Sequence, residues 1–83
     1  MTTIEFQRKA CEFVASFSNS LNDEKIKPEE VTITFTSPSP LKKCMLETSI
    51  SDGRFYEVDY NEDKQTLNLR LIEKTLIDVL RVA

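Results

Sequence analysis

The sequence predicts an α+β domain: an N-terminal helix, an antiparallel meander of three or four strands, and a C-terminal helix, with both helices on one sheet face. Three observations carry this. Apolar residues recur at helical spacing over residues 2–21. They alternate with polar ones in Val31–Thr36 and on both sides of Gly53, the chain's single glycine. After Leu71 the alternation gives way to a helical stripe.

The first helix opens on Thr2 followed three residues later by Glu5, a capping-box signature. Phe6, Ala10, Phe13, Phe17 and Leu21 follow the 3.6-residue period, and Val14 widens the stripe. Arg8, Lys9, Glu12 and Ser16 fall mostly opposite. The phenylalanines read as the helix's share of the core rather than as a ligand-binding row. Residues 18–30 are polar, end at Pro28, and form a connector.

Val31–Thr36 alternates β-branched and aromatic residues with threonines and reads as a strand. Val31, Ile33 and Phe35 are expected to face inward and the three threonines outward. Ser37-Pro38-Ser39-Pro40 then breaks the strand as a stiff turn rather than a peptide ligand.

Leu41 to Ser51 and Arg54 to Tyr60 form a hairpin around Gly53. Joined by Asp52-Gly53 alone, the strands would set Thr48 against Glu57 and Leu46 against Asp59, with carboxylates on the apolar face. Joined by Ser51-Asp52-Gly53, they set Ile50 against Arg54, Thr48 against Tyr56, Leu46 against Val58 and Cys44 against Tyr60. The second register keeps one face apolar and puts glycine where a bulge needs a left-handed residue, so it is the one expected. It also sets Glu47 directly opposite Glu57.

Residues 61–65 are a turn, and Thr66–Leu71 alternates as a fourth strand. From Ile72 a stripe of Ile72, Leu76, Val79, Leu80 and Ala83 reads as the second helix. A single helix from about Thr66 is the competing division, because no glycine or proline marks the boundary. With the fourth strand, Tyr60 pairs with Leu67 and Val58 with Leu69, so Arg70 meets Glu57 and Asn68 meets Asp59.

The 83 residues make one domain, with a formal charge of −3 spread evenly and without a basic or acidic tail. Nucleic acid is therefore not the expected partner. With no histidine, Ser-His-Asp and Cys-His mechanisms cannot be built. No cofactor, metal or small-molecule substrate is expected. Cys11 and Cys44, far apart in apolar segments, read as reduced and structural. No signal-peptide pattern and no membrane-length apolar run is present, which points to the cytoplasm.

Without the fourth strand, the order α-β-β-β-α resembles the double-stranded-RNA-binding domain over nearly the whole chain, at the level of element order. That family carries a Gly-Pro-x-His-type loop and a lysine-rich start to its last helix. Here the loop is Ser37-Pro38-Ser39-Pro40 and the last helix has only Lys74 and Arg81 as basic residues. Neither motif matches, so the resemblance implies a fold order and no functional residue.

The expected function is a small non-enzymatic protein–protein interaction module acting through the exposed sheet face or an edge strand. Its candidate contact residues are Met45, Glu47, Phe55, Glu57 and Asp59. Phe55 and Met45 are apolar side chains that the register points away from the helices. The three acids read as an ordinary solvated face with one salt-bridged neighbour rather than as a patch for a basic partner or a weak divalent-metal site. Lys42-Lys43 with Arg54 is too small a basic grouping to bind phosphates. The alternatives are a homodimer formed by the C-terminal helix, where Ile77 and Val82 lie off the main stripe, and a nucleic-acid-binding domain of α-β-β-β-α order.

Overall fold

A computed structural model describes residues 2–38, 42–50 and 53–73. A helix, α1 (Thr3–Leu21), leads through a short 3-10 turn (Pro28–Glu30) into β1 (Val31–Thr36), β2 (Lys43–Thr48), β3 (Arg54–Asn61) and β4 (Thr66–Glu73). The strands form one antiparallel sheet in the order β1-β2-β3-β4. The fold is the expected α+β meander with its fourth strand. That strand rules out the three-strand order on which the RNA-binding resemblance depended.

The Thr2 capping box is present. Glu5 N donates to Thr2 Oγ1 at 3.1 Å and Thr2 N donates to Glu5 Oε1 at 3.2 Å. Both bonds satisfy amides that the first helical turn leaves without partners. At the other end the Asn22 amide donates to Ser18 O at 3.0 Å, and Lys25 Nζ reaches Asn19 O and Asn22 O. A cation there suits the negative end of the helix dipole. The Asn19 side chain pins the connector in both directions, donating to Ile26 O and accepting from Ile26 N.

The buried face of α1 is rotated from the expected stripe. Phe6, Ala10, Val14, Ala15 and Ser18 are buried, Phe13 and Phe17 are half-buried on one flank, and Leu21 is exposed. Spacing of four residues from Phe6 to Ser18 puts one residue per turn against the sheet. The hydroxyl of Ser18 is tolerated inside because Asn22 Nδ2 donates to it.

Below α1 lie Val31, Cys44, Leu46, Tyr56 and Val58, all buried, with Ile33, Leu67, Leu69 and Leu71 partly buried around them. The Phe17 and Tyr56 rings meet edge to face, centroids 6.1 Å apart at 80°. Gln7 Nε2 donates to Thr36 Oγ1, which in turn touches Cys44 Sγ at 3.6 Å. Cys11 and Cys44 are both unpaired thiols. Burial pushes both thiols up from their ordinary range.

The expected helix after Leu71 needs correction at its start. β4 runs on through Ile72 and Glu73, paired with Phe55 and Arg54. The rest of that segment, 74–83, lies outside the described residues.

The β3–β4 register is the expected one throughout, including Glu57 opposite Arg70 and Asp59 opposite Asn68. The β2–β3 register is not. Cys44 faces Val58 and Leu46 faces Tyr56, a slip of two residues from the expected pairing. Thr48 Oγ1 accepts the amide of Ile50 at 3.2 Å, so the chain turns at Thr48 and the connection is longer than three residues. Gly53 still occupies the left-handed region, with φ 74°. A slip of two preserves which face each side chain takes. It separates Glu47 from Glu57, whose partner is Met45.

Phe35 is the second correction. Ile33 faces Leu46, but Phe35 faces Met45, a one-residue slip that marks a bulge at Thr34. The Thr34 hydroxyl donates to Met45 O at 3.2 Å there. One extra residue turns over everything after it. Phe35 therefore points to solvent, 54% exposed, and Thr36 takes the inward place beside Cys44.

Candidate functional site

The sheet face opposite α1 carries the candidate residues. No other described helix packs on it. The strand registers arrange it as rows running across the sheet. The central row is Phe35, Met45, Glu57 and Arg70, one residue from each strand. On one side lies the row Lys43, Asp59 and Asn68. On the other side Thr32 faces Glu47, and Phe55 faces Ile72. Glu47 and Phe55 follow directly on the last paired residues of their hairpin, Leu46 and Tyr56. All five expected contact residues thus share one face.

Electrostatically this face is more closed than its acid content suggests. Glu57 Oε1 is contacted by Lys43 Nζ at 3.2 Å and by the Arg70 guanidinium. Arg70 also reaches Asp59 Oδ2 at 3.4 Å, and Asn68 Nδ2 donates to Asp59 Oδ1 at 2.9 Å. The Glu57 side chain is only 14% exposed, while those of Arg70 and Lys43 are 62% and 45% exposed. The carboxylates lie under their cations, and the cations reach solvent. Two cations on Glu57 compete with any divalent ion, and among the described residues no group of three or more cysteines and acids converges as metal ligands.

The apolar part is larger than expected. Phe35 and Ile72 join Met45 and Phe55 on this face. Sequence alternation placed Phe35 in the core and assigned Ile72 to a helix. No signal marks the Thr34 bulge, although a threonine beside a strand's last apolar residue is a residue type that can bond across to the neighbouring strand.

The described residues form two shallow clefts, one of them at the edge of this face. One of about 420 Å³ at the β3–β4 turn is lined by Lys42, Asp59 and Glu62 among others. Lys42 pairs with Glu62 at 3.5 Å across it. A second of similar volume lies between Cys11 and Pro28. The basic grouping Lys42-Lys43 is thus divided between two acids, Glu62 and Glu57. Among the described residues no helix is long and apolar enough to cross a membrane.

Residues 7–77 match the model of a family described as a family of unknown function (DUF6275). No curated protein and no solved structure matches the chain.

Proposed function

The chain belongs to this family of unknown function, and from the geometry of the sheet face opposite α1, which no other described helix covers, we propose that it is a small, non-enzymatic protein–protein interaction module. One observation carries the reading. The Thr34 bulge moves Phe35 out of the core and onto the same face as Met45, Phe55 and Ile72. An aromatic and a methionine brought together on a solvated face, with charges beside them, have the composition of a contact surface. Glu47, Glu57 and Asp59 border it. The pairing of Glu57 and Asp59 makes them specificity elements rather than a docking patch for a basic chain.

The reading needs no cofactor. Nucleic acid fits this face poorly, because the acids Glu47, Glu57 and Asp59 outnumber the cations Lys43 and Arg70 on it. Two unpaired thiols suit the cytoplasm. A homodimer built by the C-terminal helix falls on 74–83, outside the described residues.

The test compares affinity capture from a cell extract by the wild type and by Phe35→Lys and Met45→Lys, each checked for its fold by circular dichroism. A protein retained by the wild type and lost by both variants supports the reading. The same protein retained equally by all three overturns it.

A further inference from the structure

We propose that the partner of the open sheet face is a second copy of this chain, packed face to face about a twofold axis that runs along the strands between β2 and β3. The inference rests on the interaction-face reading and names its occupant.

The argument starts from what each symmetry would bring together. A twofold axis parallel to the strands keeps each row at its own level and exchanges the two sides of the sheet. β2 of one copy then lies over β3 of the other, and β1 over β4. Applied to the observed rows, it sets Lys43 against Asp59 of the other copy, and by symmetry Asp59 against its Lys43. In the central row it sets Phe35 against Arg70 and Met45 against Glu57. A guanidinium over a phenylalanine ring is a favourable cation–π contact. No like charges meet.

A twofold axis that runs across the strands along the central row fails this test. It sets each strand of the sheet over itself, so Glu57 meets Glu57 and Arg70 meets Arg70 along the central row. The axis along the strands avoids these contacts.

Desolvation points the same way. Glu57 and Asp59 already have cation or amide partners within their own copy. Covering them leaves no orphaned carboxylate, which is the usual obstacle to burying a charged sheet face. Two open faces packed as a sandwich would lie about 10 Å apart with strands within about 30° of parallel, close enough for facing rows to meet.

The face is small. Four strands about 4.8 Å apart, each presenting about seven residues at about 3.3 Å per residue, offer on the order of 450 Å² per copy. The total, on the order of 900 Å², lies at the weak end of specific interfaces. The expected dimer is therefore concentration-dependent, with a dissociation constant in the micromolar range or above.

Light scattering after size exclusion, from about 1 μM to about 1 mM, reads this directly. The wild type is expected to pass from monomer to dimer in that range. Lys43→Asp and Asp59→Lys, each alone, are expected to weaken the dimer by about tenfold or more, because each sets two like-charge pairs across the axis. An equimolar mixture of the two restores association, since a copy with acids at both positions then meets a copy with lysines at both. The double variant restores it as well, and it guards against a single variant that folds poorly. A wild type that stays monomeric at about 1 mM overturns the proposal. If Phe35→Lys still removes a captured protein in that case, the interaction face stands and only its occupant is wrong. A dimer unaffected by Phe35→Lys and by both reversals uses another surface, and also overturns it.

Discussion

Phe35 of β1 faces Met45 of β2 on the solvent side of the sheet, while its neighbour Thr36 faces Cys44 on the core side. The bulge at Thr34 separates these two fates. Phe35 is 54% exposed, whereas Leu46, one position beyond Met45, is fully buried. Phe35→Ser is accordingly expected to change stability by less than about 0.5 kcal/mol, as for an ordinary surface substitution. Leu46→Ala is expected to cost about 3 kcal/mol. Urea denaturation of both variants checks the pair. Comparable losses would put Phe35 back in the core and remove the bulge.

The contrast shows what a sequence of this kind makes legible. The β3–β4 register follows from alternation and complementary partners, because pairing Tyr60 with Leu67 and Val58 with Leu69 also sets Arg70 against Glu57 and Asn68 against Asp59. The faces of Met45, Glu47, Phe55, Glu57 and Asp59 were legible too, since a two-residue slip leaves side-chain direction unchanged. What was hidden depends on single hydroxyls. Thr48 captures the Ile50 amide and Thr34 captures the Met45 carbonyl. Neither bond leaves a trace in hydrophobic period, yet one shifts a register and the other turns a phenylalanine over. The end of β4 was obscured for a different reason. Ile72 suits either a strand or a helix stripe, and no glycine or proline decides between them.

Glu57 is the hub of the charged network, held by Lys43 and Arg70. Arg70 is mostly exposed, so solvent screening limits its share. A double-mutant cycle of Glu57→Gln with Arg70→Met is expected to give a coupling of about 0.5 kcal/mol, falling as salt is raised from low ionic strength to about 1 M. Coupling that survives high salt would show a desolvated pair instead.

Gln65 closes the β3–β4 turn with φ 53°, the one non-glycine residue in the left-handed region among the described residues. The turn is otherwise supported by Lys64 N donating to Asn61 Oδ1 at 3.1 Å. A residue with a Cβ pays a steric penalty there that glycine escapes. Gln65→Gly is expected to raise stability by about 0.5 kcal/mol, after allowing for glycine's greater freedom in the unfolded chain. A lower melting temperature for this variant would contradict the turn geometry.

The capping box makes the start of α1 sensitive to acid. Bonds from the Thr2 amide and then from its side chain hold the Glu5 carboxyl below its ordinary value of 4.5. A carboxylate depressed by folding adds stability above its unfolded value, and that contribution disappears as pH falls through the lower folded value. The difference between the wild type and Glu5→Gln is therefore expected to be full above about pH 5 and to shrink steadily below about pH 4. Melting temperatures of both proteins across that range provide the check. A difference that persists at about pH 2 would mean that the side chain acts without its charge.

Tyr56 is fully buried beneath α1, and its hydroxyl finds no hydrogen-bond partner among the described residues. Its ring is well used, packed edge to face against Phe17. A buried hydroxyl without a partner forfeits its hydration and recovers nothing, at a cost of about 1–3 kcal/mol. Removing the oxygen while keeping the ring should recover part of that. Tyr56→Phe is expected to be neutral or to stabilise the fold by up to about 1 kcal/mol, whereas Tyr56→Ala should cost more than about 3 kcal/mol through the lost ring. The two substitutions separate the oxygen from the ring, and equilibrium urea unfolding measures both. If Tyr56→Phe destabilises by about 1 kcal/mol or more, the hydroxyl has a partner in the folded protein.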